Sequence, residues 1–198
     1  MTKEQEEQAI EATIDLNRSK IERTLMDSNK GTENINNLLE FMDNIGFFTA
    51  PCSTEHHLAH KGGLAEHSLN VYYGMLDLDK ALQADLDYSS IIICSLLHDL
   101  GKAGDHGKEG YIPNILKSGE VSSAKPFKTN PDLRYVAHEI RSIAIVERFI
   151  SLTEEEEFAI LYHNGMYGDL KYSYSGKETK LSMILHWADM WASRVWEV

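Results

Sequence analysis

The sequence predicts an all-α fold: a helical bundle with a metal site in its core. Three observations carry that expectation. Apolar residues recur at helical spacing through most of the chain, and the breaks between those stretches fall at glycines and asparagines. Strand-like runs are confined to one irregular excursion, Ala103 to Pro131, which holds three of the four prolines. At 198 residues, 42% hydrophobic and 25% charged, the chain is of ordinary size and composition for one well-packed domain. We expect about seven helices, with the excursions Ala103 to Pro131 and Tyr167 to Thr179 at the mouth of one cleft. The expected division is a helix over 1–30 packed on a domain spanning 31–198.

The elements follow in order. Residues 1 to about 28 carry Ile10, Ile14, Leu16, Ile21, Leu25 and Met26 among Glu, Gln, Lys and Arg, a helix pattern. Its apolar stripe suits packing on its own domain; the other use is a seam between copies, so a homo-oligomer stays open. Thr32 reads as the cap of a second helix through Ile35, Leu38, Leu39, Phe41, Met42 and Ile45, stopping at Gly46. Phe47 and Phe48 then read as core. After Gly62-Gly63 a third helix begins at Leu64 and fades near Asp77–Asp79, with His67 on its apolar face. Ile91 to Leu97 delivers a fourth helix. A helix is expected from Pro131-Asp132 through His138 and Phe149. Another opens at the capping box of Thr153 and Glu156. The last runs from Leu181 to Val195, with His186 and Asp189 three apart.

Charge excludes some partners. Nineteen basic against 31 acidic residues leave a net charge of −12, so no extended nucleic-acid surface is expected. A small phosphorylated substrate remains compatible, because bound divalent cations invert the sign of a local site. The two cysteines, Cys52 and Cys94, show no metal-type spacing, and both read as reduced thiols of a cytoplasmic protein. No signal peptide, membrane span or lipidation motif is visible.

The chemistry centres on Leu96-Leu97-His98-Asp99-Leu100-Gly101-Lys102. An imidazole and a carboxylate together at the end of an apolar helix are costly to bury unless something satisfies them. A divalent metal does so, provided that the pair lies at the helix end, where Gly101 would place it. Taken alone, the pair also fits a helix C-terminus with a solvated Asp and a core His. The remaining chain adds His67, His138, His163 and Asp189, each among apolar residues on its own helix. Such residues converge only in the core of a bundle. Four imidazoles and two carboxylates exceed the needs of one open metal site and suit two ions bridged by Asp99. The nitrogen and carboxylate mixture favours Mn, Fe, Co, Ni or Zn over Mg or Ca.

The order His67, His98-Asp99, His138, His163, Asp189 resembles the six-ligand, two-metal branch of the HD-domain superfamily of metal-dependent phosphohydrolases. Gly62-Gly63-Leu64-Ala65-Glu66-His67-Ser68, Leu97 to Lys102 and Ile184 to Asp189 are similar to segments of the HD domain in YhaM-type 3′→5′ exoribonucleases. Phe47 to His67 and Ala188 to Ser193 resemble short stand-alone HD hydrolases of phages and bacteria. The likeness covers residues 40 to 195. It implies that 31–198 is a metal-dependent hydrolase domain using two divalent transition-metal ions, with those six residues as ligands and Asp99 central to catalysis. It further implies that Lys102, a catalytic candidate beside Asp99, and Arg141 hold phosphate, with His57, Lys61 and Lys125 as further substrate contacts; Lys102 equally suits a helix cap, and Glu66 and His186 suit either orienting ligands or surface and core roles. The long 103–131 excursion, and the lack of the exoribonuclease's separate nucleic-acid-binding domain, favour a nucleotide or other small phosphate ester over polymeric RNA. Two other classes use the same ligand set: a mixed-valence di-iron oxygenase, and a non-catalytic nucleotide-binding module.

Overall fold

The computed structural model describes residues 2–198. Among them are eight α-helices: α1 (Lys3–Met26), α2 (Thr32–Ile45), α3 (Gly63–Leu82), α4 (Tyr88–Leu97), α5 (His138–Val146), α6 (Glu154–Leu161), α7 (Lys171–Tyr174) and α8 (Lys180–Trp191). Four short strands interrupt them: β1 (Gly104–Asp105), β2 (Lys108–Glu109), β3 (Tyr111–Pro113) and β4 (Phe127–Thr129). They form two separate antiparallel hairpins, β1 with β2 and β3 with β4. The architecture is all-α, as the periodicity predicts, and the excursion 103–131 is an ordered pair of hairpins.

The core forms around α3, which packs on α4 and α8, with α1 laid across α3 and α4. Ile91, Ile92, Ile93, Cys94, Leu96 and Leu97 are all buried, so α4 is enclosed on every side. In α1 the buried stripe is Ile14, Ile21 and Leu25, whereas Ile10 and Leu16 are exposed. Leu16 falls outside the face that reaches α3, whereas Ile10, one turn before Ile14, lies on it and lines an open groove with Lys61 and Glu66. Position 1 of the expected helix lies outside the described residues. Phe47 and Phe48 are buried edge to face, ring centroids 5.2 Å apart.

Several boundaries differ from the periodicity. Gly31, with φ 90°, is the N-cap of α2, and Thr32 is its first helical residue. α3 continues to Leu82, one turn past the acidic pair, and stops where Gln83 turns left-handed. The helix expected from Pro131 starts only at His138. Residues 133–137 are non-helical, and the Arg134 carbonyl there accepts from Arg141 Nη2 at 2.7 Å. α8 ends at Trp191 and continues as a π-helical turn, Ala192–Trp196. Within Tyr167 to Thr179 lies the one-turn helix α7, whose Tyr174 is buried against Phe158 and Tyr162 of the α6 region.

The acidic run opening α6 complements the helix dipole as expected, but one member does more. Glu156 is 1% exposed; it accepts from Lys30 Nζ at 2.8 Å, from Ser90 Oγ at 2.9 Å and from the Thr153 amide at 2.8 Å. It therefore ties the α1–α2 connection to α4 and α6. Removing one member of a buried pair leaves the other uncompensated. Lys30→Met should lower unfolding free energy by about 3 kcal/mol in urea titrations, far more than a surface lysine would.

Asp105 anchors the first hairpin to the end of α5. Arg148 donates to both its oxygens, at 2.9 and 2.6 Å. Burial pushes this carboxyl up, but the Arg148 hydrogen bonds and the His106 amide hold it below its usual value. Its stabilising contribution is therefore complete above the ordinary aspartate pKa of about 4 and is lost as pH falls through the lower, folded value. Denaturant midpoints measured against pH should show this acid-side loss in the wild type and a smaller one in Arg148→Met.

Candidate metal centre

Residues from five helical elements meet in the interior. The centre is built at the end of α4. His98 is the C-cap and still helical, while Asp99 has left the helix at φ −105°. Because the helix ends between them, adjacent side chains face one point: His98 Nε2 lies 3.4 Å from Asp99 Oδ2. The chain then makes a 3₁₀ turn, Leu100–Lys102, against which α5 packs. Gly101 permits that contact, since a Cβ there would run into the His138 carbonyl; its amide donates to Ser142 Oγ at 2.8 Å. At the other wall Gly62-Gly63 opens α3, and a Cβ on Gly63 would collide with the Leu58 carbonyl.

The two oxygens of Asp99 collect separate partners. Around Oδ2 stand His67 Nε2 at 3.5 Å and His98 Nε2 at 3.4 Å, with Asp189 Oδ1 3.1 Å from His67 Nε2. Around Oδ1 stand His138 Nε2 at 3.2 Å and His163 Nε2 at 3.6 Å, themselves 3.2 Å apart. His67, His98, Asp99 and His163 are at most 1% exposed. The side chains of His138 and Asp189 are 30% and 19% exposed, so the cluster opens on their side.

Three of the four imidazoles are held by a hydrogen bond at the other nitrogen, and the fourth, His138, faces a carboxylate there. His98 Nδ1 lies 2.9 Å from the Ser95 carbonyl and His163 Nδ1 2.7 Å from the Ile160 carbonyl. His67 Nδ1 lies 3.0 Å from both oxygens of Glu197, and His138 Nδ1 is 3.2 Å from Glu139 Oε2. A carbonyl or carboxylate only accepts, so the Nδ1 facing it carries a proton and Nε2 is the nitrogen turned inward. The result is four Nε2 atoms and two carboxylates facing one another, and an ion taking the Nε2 of His67 displaces the proton that Cys52, Asp189 and Glu197 favour there. His67 Nε2, His98 Nε2 and Asp99 Oδ1 are buried with no hydrogen-bond partner among the described residues. Ligand bonds of about 2.1 Å put neighbouring donors roughly 3.0–3.4 Å apart around an octahedral or tetrahedral ion. The 3.1–3.6 Å spacings here are close to that shell, and for the buried Nε2 atoms of His67 and His98 they make no hydrogen bond. The donor set fits divalent ions, with His67, His98 and Asp189 as one grouping and His98, Asp99 and His163 as another.

The electrostatics follow from this crowding. Burial pushes Asp99 up, yet Lys102 and His98 hold it well below the usual carboxylate range. Lys102 Nζ sits 2.6 Å from Asp99 Oδ2; burial lowers its pKa and Asp99 more than restores it. Burial would neutralise His67, but Cys52, Asp189 and Glu197 hold its pKa well above the ordinary value. Burial and the neighbouring His98 push His163 down to about 3, leaving a neutral ligand. Asp189, pushed up by burial, is held well below its usual value by His67.

The other candidate residues are distributed unevenly. Lys102 and Arg141 both line a cleft of about 430 Å³ beside His138, with Tyr111, Asn130, Arg134 and Tyr135. Arg141 is 6% exposed and already donates to Arg134. The cleft walls come from residues 101–141; the 167–179 excursion contributes none of them, because α7 is drawn onto α6 instead. His57 reaches the cluster, its ring 5.4 Å from that of His67. Lys61 is exposed and lines a groove against α1 instead. Lys125 is paired with Glu55 at 3.2 Å, between the second hairpin and the 53–57 loop. Glu66 lies near His60 on the surface, whereas His186 supports the His163 carbonyl at 2.8 Å.

Sequence reasoning missed Glu197, Glu139 and Cys52. Glu197 follows the π-helical turn and is also gripped by Asn70 at 3.0 Å, a long-range contact with no local signature. Glu139 directly follows His138. Cys52, 1% exposed, lies 3.4 Å from His57 Nε2; burial pushes its thiol up, but His67 and Lys102 outweigh that and bring it to about 6.

An all-helical bundle with a buried His/Asp cluster fed by separate helices defines a protein built to hold divalent metal. The HD domain family model matches residues 64–192, and the chain belongs to that family. Searches of curated proteins and of solved structures gave no match. With the family comes, at a coarse level, metal-dependent hydrolase chemistry. Among the described residues no helix is long and apolar enough to cross a membrane.

Glu197→Ala should weaken metal binding by roughly 10- to 100-fold, because freeing Nδ1 lets His67 rotate and lowers its basicity. Metal titrations followed calorimetrically check this, with a nearly unchanged melting temperature as the control.

Proposed function

We propose that this protein is a phosphohydrolase acting on a nucleotide or another small phosphate ester, using two divalent transition-metal ions held by His67, His98, Asp99, His138, His163 and Asp189. The observation that carries the reading is the inward Nε2 of four imidazoles around the two oxygens of Asp99. One position takes His67, His98, Asp189 and Asp99 Oδ2; the other takes His138, His163 and Asp99 Oδ1. Two ions so held supply an acidified water and electrostatic neutralisation of a phosphoryl group.

The residues of the chain do the rest. The cleft beside His138 is lined by Lys102, Arg134 and Arg141, which give it cationic walls in an otherwise acidic protein. Lys102 meets phosphate as a compact point charge. Its bond to Asp99 keeps it at the metal end of the cleft. Arg141 is buried and tied to Arg134, so it acts by fixing the 133–137 wall and adding positive potential rather than by reaching out as a free fork. Tyr111 and Tyr135 offer aromatic surface in the same cleft, suited to a nucleobase. The net charge of −12 opposes a polyanionic polymer and favours a small substrate.

The test is a screen of nucleotides, cyclic nucleotides and short oligonucleotides with Mn, Fe, Co, Ni or Zn. We expect hydrolysis of a small phosphate ester that vanishes with chelator. Asp99→Ala should fall to background and lose at least one metal while its circular dichroism spectrum is retained. No hydrolysis under any metal, with dioxygen uptake by the iron-loaded protein and a mixed-valence EPR signal, would overturn the reading in favour of an oxygenase.

A further inference from the structure

Next to the cluster on Asp99 lies a second set of donors of different character. Cys52 Sγ is 3.4 Å from His57 Nε2, and the His57 and His67 rings have centroids 5.4 Å apart. Cys52, His57 and His67 each offer one donor atom within 4.8 Å of the others. The loop is well tied. The Cys52 amide donates to the Leu58 carbonyl at 3.1 Å, Ser53 Oγ donates to the His57 carbonyl at 2.9 Å, and Gly63 lets the loop close on α3. The His67 nitrogen on offer is Nε2, since Nδ1 is engaged by Glu197, and Nε2 is buried with no partner among the described residues.

We propose that Cys52, His57 and His67 form a site for a soft divalent cation, and that sharing His67 makes its occupancy compete with the ion held at Asp189. Sulfur with two imidazoles selects thiophilic ions such as zinc or cadmium, whereas the mixed imidazole and carboxylate set on Asp99 also accepts harder ions such as manganese. Binding forms a metal–sulfur bond, and the thiol proton leaves to solvent. One lone pair cannot serve two ions, so a soft cation here withdraws His67 from the hydrolytic centre. The protein then carries its own means of inhibition by excess thiophilic metal. The competition rests on the proposed function's assignment of His67; the Cys52 site itself does not.

The experiment uses the full chain, freed of metal by chelator and titrated with cadmium while the thiolate-to-cadmium charge-transfer band is followed in the ultraviolet. Bound cadmium and manganese are counted separately by elemental analysis. The wild type and Cys94→Ala should develop the band, and Cys52→Ala and Cys52→Ser should lose it while keeping the wild-type circular dichroism spectrum. Preloading with manganese should shift the cadmium midpoint several-fold higher in the wild type. Cadmium that binds without the band, or a band that survives in both Cys52 variants, overturns the site while leaving the Asp99 centre standing. A midpoint unmoved by bound manganese overturns the sharing of His67. A band in a protein that binds no more manganese, iron, cobalt, nickel or zinc than its Asp99→Ala variant supports Cys52 as a ligand and instead removes the Asp99 centre.

Discussion

The fold depends on satisfying Asp99. Its carboxylate is 1% exposed, and one oxygen has no hydrogen-bond partner among the described residues. A charge so placed would ordinarily cost several kcal/mol. What makes the position tolerable is the ring of groups around it: Lys102 from its own turn, and imidazoles from α3, the end of α4, α5 and the end of α6. Those groups must arrive from different directions, and this requires helices on several sides of one point. The bundle is therefore arranged around a polar centre, with the apolar layers of α3, α4 and α8 beneath it.

The imidazoles come with a feature that simple core histidines do not share. A core histidine is satisfied when both nitrogens find partners. Here the buried Nε2 atoms of His67 and His98 find none, while those of His138 and His163 face each other and Asp99 Oδ1. His138 and His163 illustrate the cost: two lone pairs and Asp99 Oδ1 form a triangle with sides of 3.2, 3.2 and 3.6 Å. Such a triangle repels unless a cation sits among its corners. The same geometry explains why Glu197 and Glu139 matter although they touch the centre only through a ring. They fix which nitrogen is protonated and so which lone pair is offered.

Access and selectivity come from less regular parts of the chain. Residues 133–137 stay non-helical, and with the 3₁₀ turn at Lys102 and the second hairpin they build the cleft beside His138. The loop before Gly62-Gly63 brings Cys52 and His57 beside His67. Two different chemistries thus border one ligand: a cationic cleft suited to phosphate, and a sulfur-bearing wall suited to a soft ion.

The all-α class, the placing of His98-Asp99 at a helix end and the burial of His67 and His163 were legible in the sequence, because each follows from local rules. Helical periodicity marks a buried face, and a glycine marks where a helix can stop. The six-residue constellation was legible in order, since an ionisable residue amid apolar neighbours has to be accounted for. Not legible were the late start of α5, with its Arg141–Arg134 bond, and the drawing of α7 onto α6, away from the cleft. Nor were Glu197, Cys52 and the buried pair of Lys30 with Glu156. Each of these joins residues far apart in the chain or turns on which way one side chain points. Local pattern states how a segment buries its apolar face, but only the packed chain decides which polar groups then meet.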